Sequence, residues 1–383
     1  MINLNIAHLA SFDGNIGDNA NISGMRSMLN QDLPYDIHFN NIEIRQFYKI
    51  QNKRKFDQSF VDEVNQSDLL IIGGGNYFEL WLEVSVTGTT IDITNEIFAK
   101  IKIPVVFYGL GIDPEKGYSN HTLAKFKHFL DFLFTRKNVL VSVRNDGSWD
   151  DCKKLLGTKY AEQIYKIPDG GFYVGIQTSF HPEIVNGQIN IGLNIAGDMM
   201  NVRFPQVNEF ISADDYIEKL SEVIEICVVK WNANFVLLPH IYKDYEAISQ
   251  LLSQLKDVTL RNNIAVAPYI HGLGQEKYFF DLYKQFSLVM GNRFHTNVCG
   301  IGLGIPTIGL SNYPKITKLY KELDLLDRVI DVRKNNFDTI LINCIEDSLN
   351  EQDNILALYT TIRNNLRKDT EKFHLKIHNL LVK

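Results

Sequence analysis

The stretch Leu288-Val289-Met290-Gly291-Asn292-Arg293-Phe294-His295-Thr296, continuing through Asn297 and Val298 to Gly304 and then Ile305-Pro306-Thr307-Ile308-Gly309-Leu310, decides the fold. A short apolar run meets a polar turn, a helix of small residues follows, and a second apolar run closes the unit. Strand, helix and strand in such quick succession read as one βαβ unit of a parallel sheet. The glycines at 300, 302 and 304 let the helix pack close to that sheet. Arg293 and His295 then fall at a strand's end and a helix's start, where open α/β sheets bind ligands. An arginine fork takes carboxylate or phosphate bidentately, and the helix N-terminus adds to the same positive potential. A histidine two residues on exchanges protons near neutral pH. A lone arginine or histidine is usually structural; together, at this place, they read as functional.

Outward from this unit, short β-branched runs alternate with segments of helical period. In the first half the expected strands are 4–11, 36–40, 68–72, 105–110, 139–143 and 163–167, with a helix at 119–134 carrying Leu123, Phe126, Phe129, Leu130 and Leu133 on one face. A second series comprises 189–195, 235–239, 264–267, 288–290, 307–310 and 328–332. Its first helix starts at Ser212, where Asp215 makes a capping arrangement plausible, and Tyr216, Ile217, Leu220, Val223, Ile224 and Cys227 form an apolar face. The pattern breaks around 175–187. The tail, 353–382, is expected to be amphipathic through Ile355, Leu358, Ile362, Leu366, Phe373 and Ile377. The fold class expected is α/β, two Rossmann-like parallel-sheet domains (1–180 and 186–340) facing a cleft, with a C-terminal helical segment (341–383).

Composition agrees. A chain of 383 residues is long for one domain, and 45% hydrophobic with 22% charged residues suits large buried cores. The formal charge of −6, with no long basic stripe, argues against a nucleic-acid partner. Cys152, Cys227, Cys299 and Cys344 lie far apart, form no CxxC pair and read as reduced structural thiols with no metal site. The N-terminus reads as a first strand rather than a signal peptide. The longest apolar stretch, 299–310, is too short and glycine-rich to span a bilayer, so the expected location is cytoplasmic, with at most peripheral membrane contact.

Other loops after strands could carry chemistry. Asp13-Gly14-Asn15-Ile16-Gly17-Asp18-Asn19 precedes a helix and could offer free N–H groups to an anion, or Asp18 could simply cap that helix. It has neither the GxGxxG spacing nor the P-loop lysine. Gly73-Gly74-Gly75-Asn76 could expose consecutive amides as an anion nest. Arg144, at a strand's end, could meet an anionic ligand, but a structural pair with Asp146 is the better reading. His240 and His271 follow strands and could face the cleft; each taken singly reads as a hydrogen-bonded structural histidine.

The order of these segments resembles the polysaccharide pyruvyl transferase family. Asn15-Ile16-Gly17-Asp18, Gly73-Gly74-Gly75, Ser142-Val143-Arg144, Pro168-Asp169 and Arg293-Phe294-His295 with Gly304-Ile305-Pro306 carry the likeness, which runs over about residues 13–315. The resemblance implies a GT-B-like architecture and transfer of a pyruvyl group from phosphoenolpyruvate to sugar hydroxyls. The product is a ketal on a cell-surface polysaccharide or a lipid-linked saccharide precursor, and no cofactor or metal is needed. Arg293 and His295 match the family's donor-site arginine and histidine. Many members carry a second arginine at the end of the second domain's first strand. Asn194 stands there in this chain, and Arg203 is the candidate to replace it.

On this reading the donor side comprises Arg293, Asn292, Thr296, Arg203, Asn194, His240 and His271, and the acceptor side Asn15, Gly74, Gly75, Asn76 and Arg144. His295 is the expected acid, or the group that protonates departing phosphate, Arg293 the anion clamp and Asp18 the candidate base for the acceptor. Two alternatives stand beside it. One is a GT-B-like glycosyltransferase using a nucleotide sugar, which would want a ribose-binding carboxylate that Ser311-Asn312-Tyr313-Pro314-Lys315 does not supply. The other is a non-catalytic glycan-binding relative, favoured by Asn194.

Overall fold

A computed structural model describes residues 2–382. They fall into two compact units. The first comprises 2–13, Gly24–Gly170 and 365–382; the second comprises Gly14–Ser23 and Gly171–Asn364. Two long helices, Ile16–Asp32 and Gln352–Leu381, are therefore each divided between the units.

The first unit is built on β1 (Ile2–Ala10), β2 (Tyr35–Glu43), β3 (Leu69–Gly73), β4 (Phe78–Glu79), β5 (Val105–Leu110), β6 (Ile112–Asp113), β7 (Val139–Arg144) and β8 (Tyr165–Ile167). Six of these strands form one sheet in the order β2-β1-β3-β5-β7-β8, every pair parallel, while β4 and β6 pair separately. The short β4–β6 pair went unforeseen because two-residue strands leave no periodic signal. Side chains alternate in destination, as a period of two requires. Leu69 and Ile71 of β3 join the apolar cluster that takes Phe373 and Ile377 from the C-terminal helix. Leu70 and Ile72 join the opposite cluster, with Phe126 and Phe129 from the helix Asn120–Phe134. Strands covered on both faces read as continuous apolar runs, which is why LLII here shows no alternation in sequence.

The second unit holds β9 (Asn190–Asn194), β10 (Asn234–Leu237), β11 (Ile264–Val266), β12 (Leu288–Gly291), β13 (Thr307–Ser311) and β14 (Val329–Asp331). They form one parallel sheet ordered β11-β10-β9-β12-β13-β14. Counted within the unit this is 3-2-1-4-5-6, the doubly wound order, whose chain direction reverses between β9 and β12. Phe235 and Leu237 point to one apolar cluster, Val236 and Leu238 to the other. Ser212 and Asp215 close a reciprocal capping box on the helix Ala213–Trp231, as the sequence suggested. Gly300 lies against the Thr307 side chain of β13, so the helix Phe294–Gly302 does approach its sheet where a β-carbon would not fit, whereas Gly302 faces the Phe172 backbone and Gly304, past the helix end, faces Leu356.

The C-terminal helix corrects one expectation. Leu358 is 44% exposed, and the buried position is its neighbour Tyr359, whose hydroxyl accepts from Arg328 Nε at 3.1 Å. Arg328 and the Thr307 carbonyl give that hydroxyl polar partners, so an apolar-only reading of the helix misses it. Among the described residues, no helix is long and apolar enough to cross a membrane.

Candidate functional site

The two strands that flank the reversal point of the second sheet supply the frame. Gly291 of β12 is in register with Asn194 of β9. Just beyond, Asn194 Oδ1 accepts from the Arg293 backbone N–H at 3.0 Å, while its Nδ2 donates to the Leu238 carbonyl at 2.8 Å. Asn194 is fully buried. Its short amide ties three strand ends together, work that a long cation at this position could not do. Asn292 braces the same region: Nδ2 donates to the Leu310 carbonyl at 2.7 Å, and Oδ1 accepts from Tyr216 Oη at 3.0 Å.

Arg293 ends the loop and caps the helix Phe294–Gly302 with extended backbone. Its guanidinium makes a charge-assisted fork with Asp244, including Nε to Oδ2 at 3.0 Å, and Nη2 also donates to Asp198 Oδ1 at 2.9 Å. Asp244 is fully buried and immobilised by backbone donors: Gly197 N at 3.2 Å, His240 N at 2.9 Å and Ile241 N at 3.3 Å. Burial pushes the Arg293 pKa down, but Asp244 and Asp198 outweigh it and raise it further, so the group stays charged.

Arg203 reaches the same place from a different segment. Its Nη2 donates to Asp198 Oδ1 at 3.3 Å, Nε to the Asp198 carbonyl at 2.9 Å, and Nη1 to Asn312 Oδ1 at 2.9 Å. Two guanidinium groups thus converge on one carboxylate oxygen. Burial and the charge of Arg293 both lower the Arg203 pKa, the signature of like charges held close.

His295 lies in the first turn of the helix, 7% exposed. Against its ring sits Gly17: a β-carbon there would stand 2.6 Å from Nδ1. The early glycine loop and the late Arg-Phe-His segment, far apart in sequence, therefore meet within the second unit. In that loop the capping role falls to Asn15, whose Oδ1 accepts from Gly17 N at 3.0 Å; Asp18 lies inside the helix's first turn.

His240 is buried, and its Nε2 is shared between Tyr283 Oη at 2.9 Å and Thr296 Oγ1 at 3.2 Å. Among the described residues its Nδ1 meets no partner. Burial, then the charges of Arg293 and His295, hold its pKa well below the usual imidazole range, so it stays neutral. His271, in contrast, is exposed and lies beside the Tyr269 ring, apart from this network.

In the first unit, the reversal point lies between β1 and β3. Gly74 N–H donates to the Tyr108 carbonyl at 3.2 Å, so this amide is committed to the sheet and the expected nest is not open there. Gly75 packs on the Tyr77 ring, whose hydroxyl accepts from Ser11 N at 2.7 Å. Asn76 Nδ2 donates to Asp113 at 3.0 Å and Glu79 at 3.2 Å. Arg144 is buried between Asp146 (2.8 Å) and Asp169 (3.2 Å), the structural pairing that its sequence context favoured.

Asp198 and Asp244 are the site residues that sequence reading missed. Asp198 stands in the loop after β9, and Asp244 opens the helix Asp244–Gln254, four residues past His240. Nothing in sequence alone showed that their carboxylates turn toward Arg293.

Solved structures share this fold at low identity. The UDP-GlcNAc 2-epimerase from Methanocaldococcus jannaschii is 11% identical, with a TM-score of 0.58 over 91% of this chain and 93% of that one. A glycosyltransferase from Rickettsia africae is 10% identical, with a TM-score of 0.56 over 100% and 99%. Their likeness is one of architecture, the GT-B type expected from the sequence. No curated protein matches. The polysaccharide pyruvyl transferase family model matches residues 15–313, a span that holds Gly17, Asp198, Arg203, Asp244, Arg293 and His295. This chain belongs to the polysaccharide pyruvyl transferase family.

Proposed function

We propose that this transferase moves a pyruvyl group from phosphoenolpyruvate to hydroxyls of a saccharide, forming a ketal during assembly of a cell-surface polysaccharide. The observation that carries the reading is the convergence of Arg203 and Arg293 on one carboxylate oxygen beside His295. Phosphoenolpyruvate carries a carboxylate and a phosphate on one small frame, and two buried guanidinium forks match that pair of anions. The family assignment implies a saccharide acceptor.

In the proposed reaction His295 delivers a proton to the donor's methylene carbon, leaving positive charge on the carbon that bears the phosphate oxygen. A sugar hydroxyl attacks that carbon and gives up its proton, with Asp18 as the candidate base. The C–O bond to phosphate then breaks, phosphate leaves with its electron pair, and a second hydroxyl closes the ketal as its proton passes to the departing phosphate. Arg293 and Arg203 hold the donor's anionic groups throughout and stabilise the departing phosphate. His240, held neutral, buttresses Thr296 at the start of the same helix. The four cysteines are free thiols, in keeping with a cytoplasmic setting.

The test is phosphate release from phosphoenolpyruvate with a saccharide acceptor, and capture of the pyruvylated product by mass spectrometry. Arg293→Ala and His295→Ala should each abolish it. If both variants retain transfer, or if UDP-sugars but not phosphoenolpyruvate raise the melting temperature, the reading fails.

A further inference from the structure

Asp198 and Asp244 both pair with Arg293, yet their surroundings differ. Asp244 is 0% exposed and fastened by three backbone N–H groups. The Asp198 side chain is 23% exposed, and its Oδ1 accepts from Arg203 and Arg293. The residue after it, Met199, has φ of +56°, a left-handed conformation that a non-glycine side chain rarely adopts and that surrounding contacts must hold. A fixed counter-ion and a displaceable one thus share a cation pair.

The charge arithmetic sharpens this. Two guanidinium groups face two carboxylates, so the network is neutral without a ligand. Of the two carboxylates, only Asp198 is in reach of solvent. Two buried polar atoms beside the network also await a partner among the described residues. Asn312 Nδ2 is on the side chain that accepts from Arg203, and His240 Nδ1 is on a ring whose backbone N–H is bound to Asp244. Buried donors and acceptors are almost always satisfied, so both atoms are open to a water or to an oxygen of a ligand.

We propose that Asp198 is a place-holder carboxylate: it occupies the ligand-carboxylate position between Arg203 and Arg293, and an anionic donor binds by displacing it. The inference rests on the same anion site that the pyruvyl-transfer reading uses. It makes Asp198 a specificity-determining residue. A monoanion exchanged for Asp198 gains no charge advantage and must compete with a tethered rival, whose effective concentration is on the order of millimolar or more. A ligand bearing a carboxylate and a phosphate brings about 2.5 to 3 negative charges and over-compensates the loss. Pyruvate is thereby refused while phosphoenolpyruvate is accepted, although both present the same carboxylate. With the donor seated, the displaced carboxylate turns to solvent on the side where it is already partly exposed.

The test measures binding of inorganic phosphate and of pyruvate by calorimetry to the full chain and to Asp198→Asn, at fixed salt. Asparagine keeps the shape and removes the competing charge. The expected result is at least tenfold tighter phosphate binding and the appearance of measurable pyruvate binding in the variant, with phosphate raising its melting temperature more than that of the parent. Unchanged or weaker phosphate binding overturns the proposal. So does a variant that unfolds and is not rescued by phosphate, because Asp198 would then be a structural counter-ion like Asp244. These readouts need no turnover. Failure of pyruvyl transfer with the phosphate response intact would reject the donor assignment and leave the place-holder standing.

Discussion

Gly17 lies directly against the imidazole of His295, so close that a β-carbon at position 17 would stand 2.6 Å from Nδ1 and 2.7 Å from the histidine's own Cβ. The first glycine loop thus sets the position of the ring that we assign as proton donor. Gly17→Ala must push that ring aside, since the conflict involves its Cβ and not only a flexible tip. Overpacking of this kind costs about 1–3 kcal/mol of stability. Misplacing a reacting group by an ångström costs about 100-fold in rate. Steady-state kinetics of Gly17→Ala should show a fall in kcat of that order; an unchanged kcat would separate Gly17 from the chemistry.

Asp244 should behave as a structural anchor rather than as a competitor for ligand. Asp244→Asn replaces one backbone-bound oxygen by a donor that faces N–H groups, and it strips the buried Arg293 of its principal counter-charge. We expect a loss of about 2–3 kcal/mol in urea-denaturation stability, together with weaker phosphate binding. The contrast with Asp198→Asn is the informative part, since the two aspartates touch the same guanidinium.

Arg144 provides an internal control in the first unit. Removing it leaves Asp146 and Asp169 buried without their shared cation. Arg144→Ala should therefore destabilise by about 3–5 kcal/mol, read from the denaturant midpoint. A mild stability change accompanied by a raised KM for the saccharide would instead place Arg144 in acceptor recognition.

Stability should decline on mild acidification. His8 is fully buried, its Nε2 faces the Gly73 carbonyl at 3.0 Å, and its Nδ1 accepts from Arg26 Nε at 3.1 Å, so a second proton has nowhere to sit. Burial first, then the charge of Arg26, depresses its pKa well below the ordinary value, as burial does for His240. Both rings are neutral in the folded chain and titrate normally, near pH 6.5, when unfolded. Below that pH the unfolded state binds protons that the folded state refuses. The histidine contribution is therefore complete above about pH 6.5 and lost as the pH falls, with a limiting slope of about 2.7 kcal/mol per unit for the two protons. Urea midpoints at pH 7 and pH 5.5 would check this, and His240→Gln should shallow the dependence.

The sequence by itself determined the architecture. All twelve strands of the two large sheets lie where apolar runs predicted them, within a residue or two at each end except for β2, which runs three residues further, and the Ser212 cap forms as its spacing requires. Local signals suffice there because strand pairing, capping and helical faces depend on neighbours a few residues apart. That Arg293 and His295 stand together between the end of a strand and the start of a helix was legible too, because the strand–turn–helix pattern is local. Only the tertiary structure decided what surrounds them. Gly17 comes to His295, Asp244 and Asp198 to Arg293, and Arg203 to Asp198. These partners arrive from the segments that follow β1, β9 and β10. Which loop ends face each other depends on sheet order, and sheet order depends on the packing of every strand at once, information that no local window of residues contains.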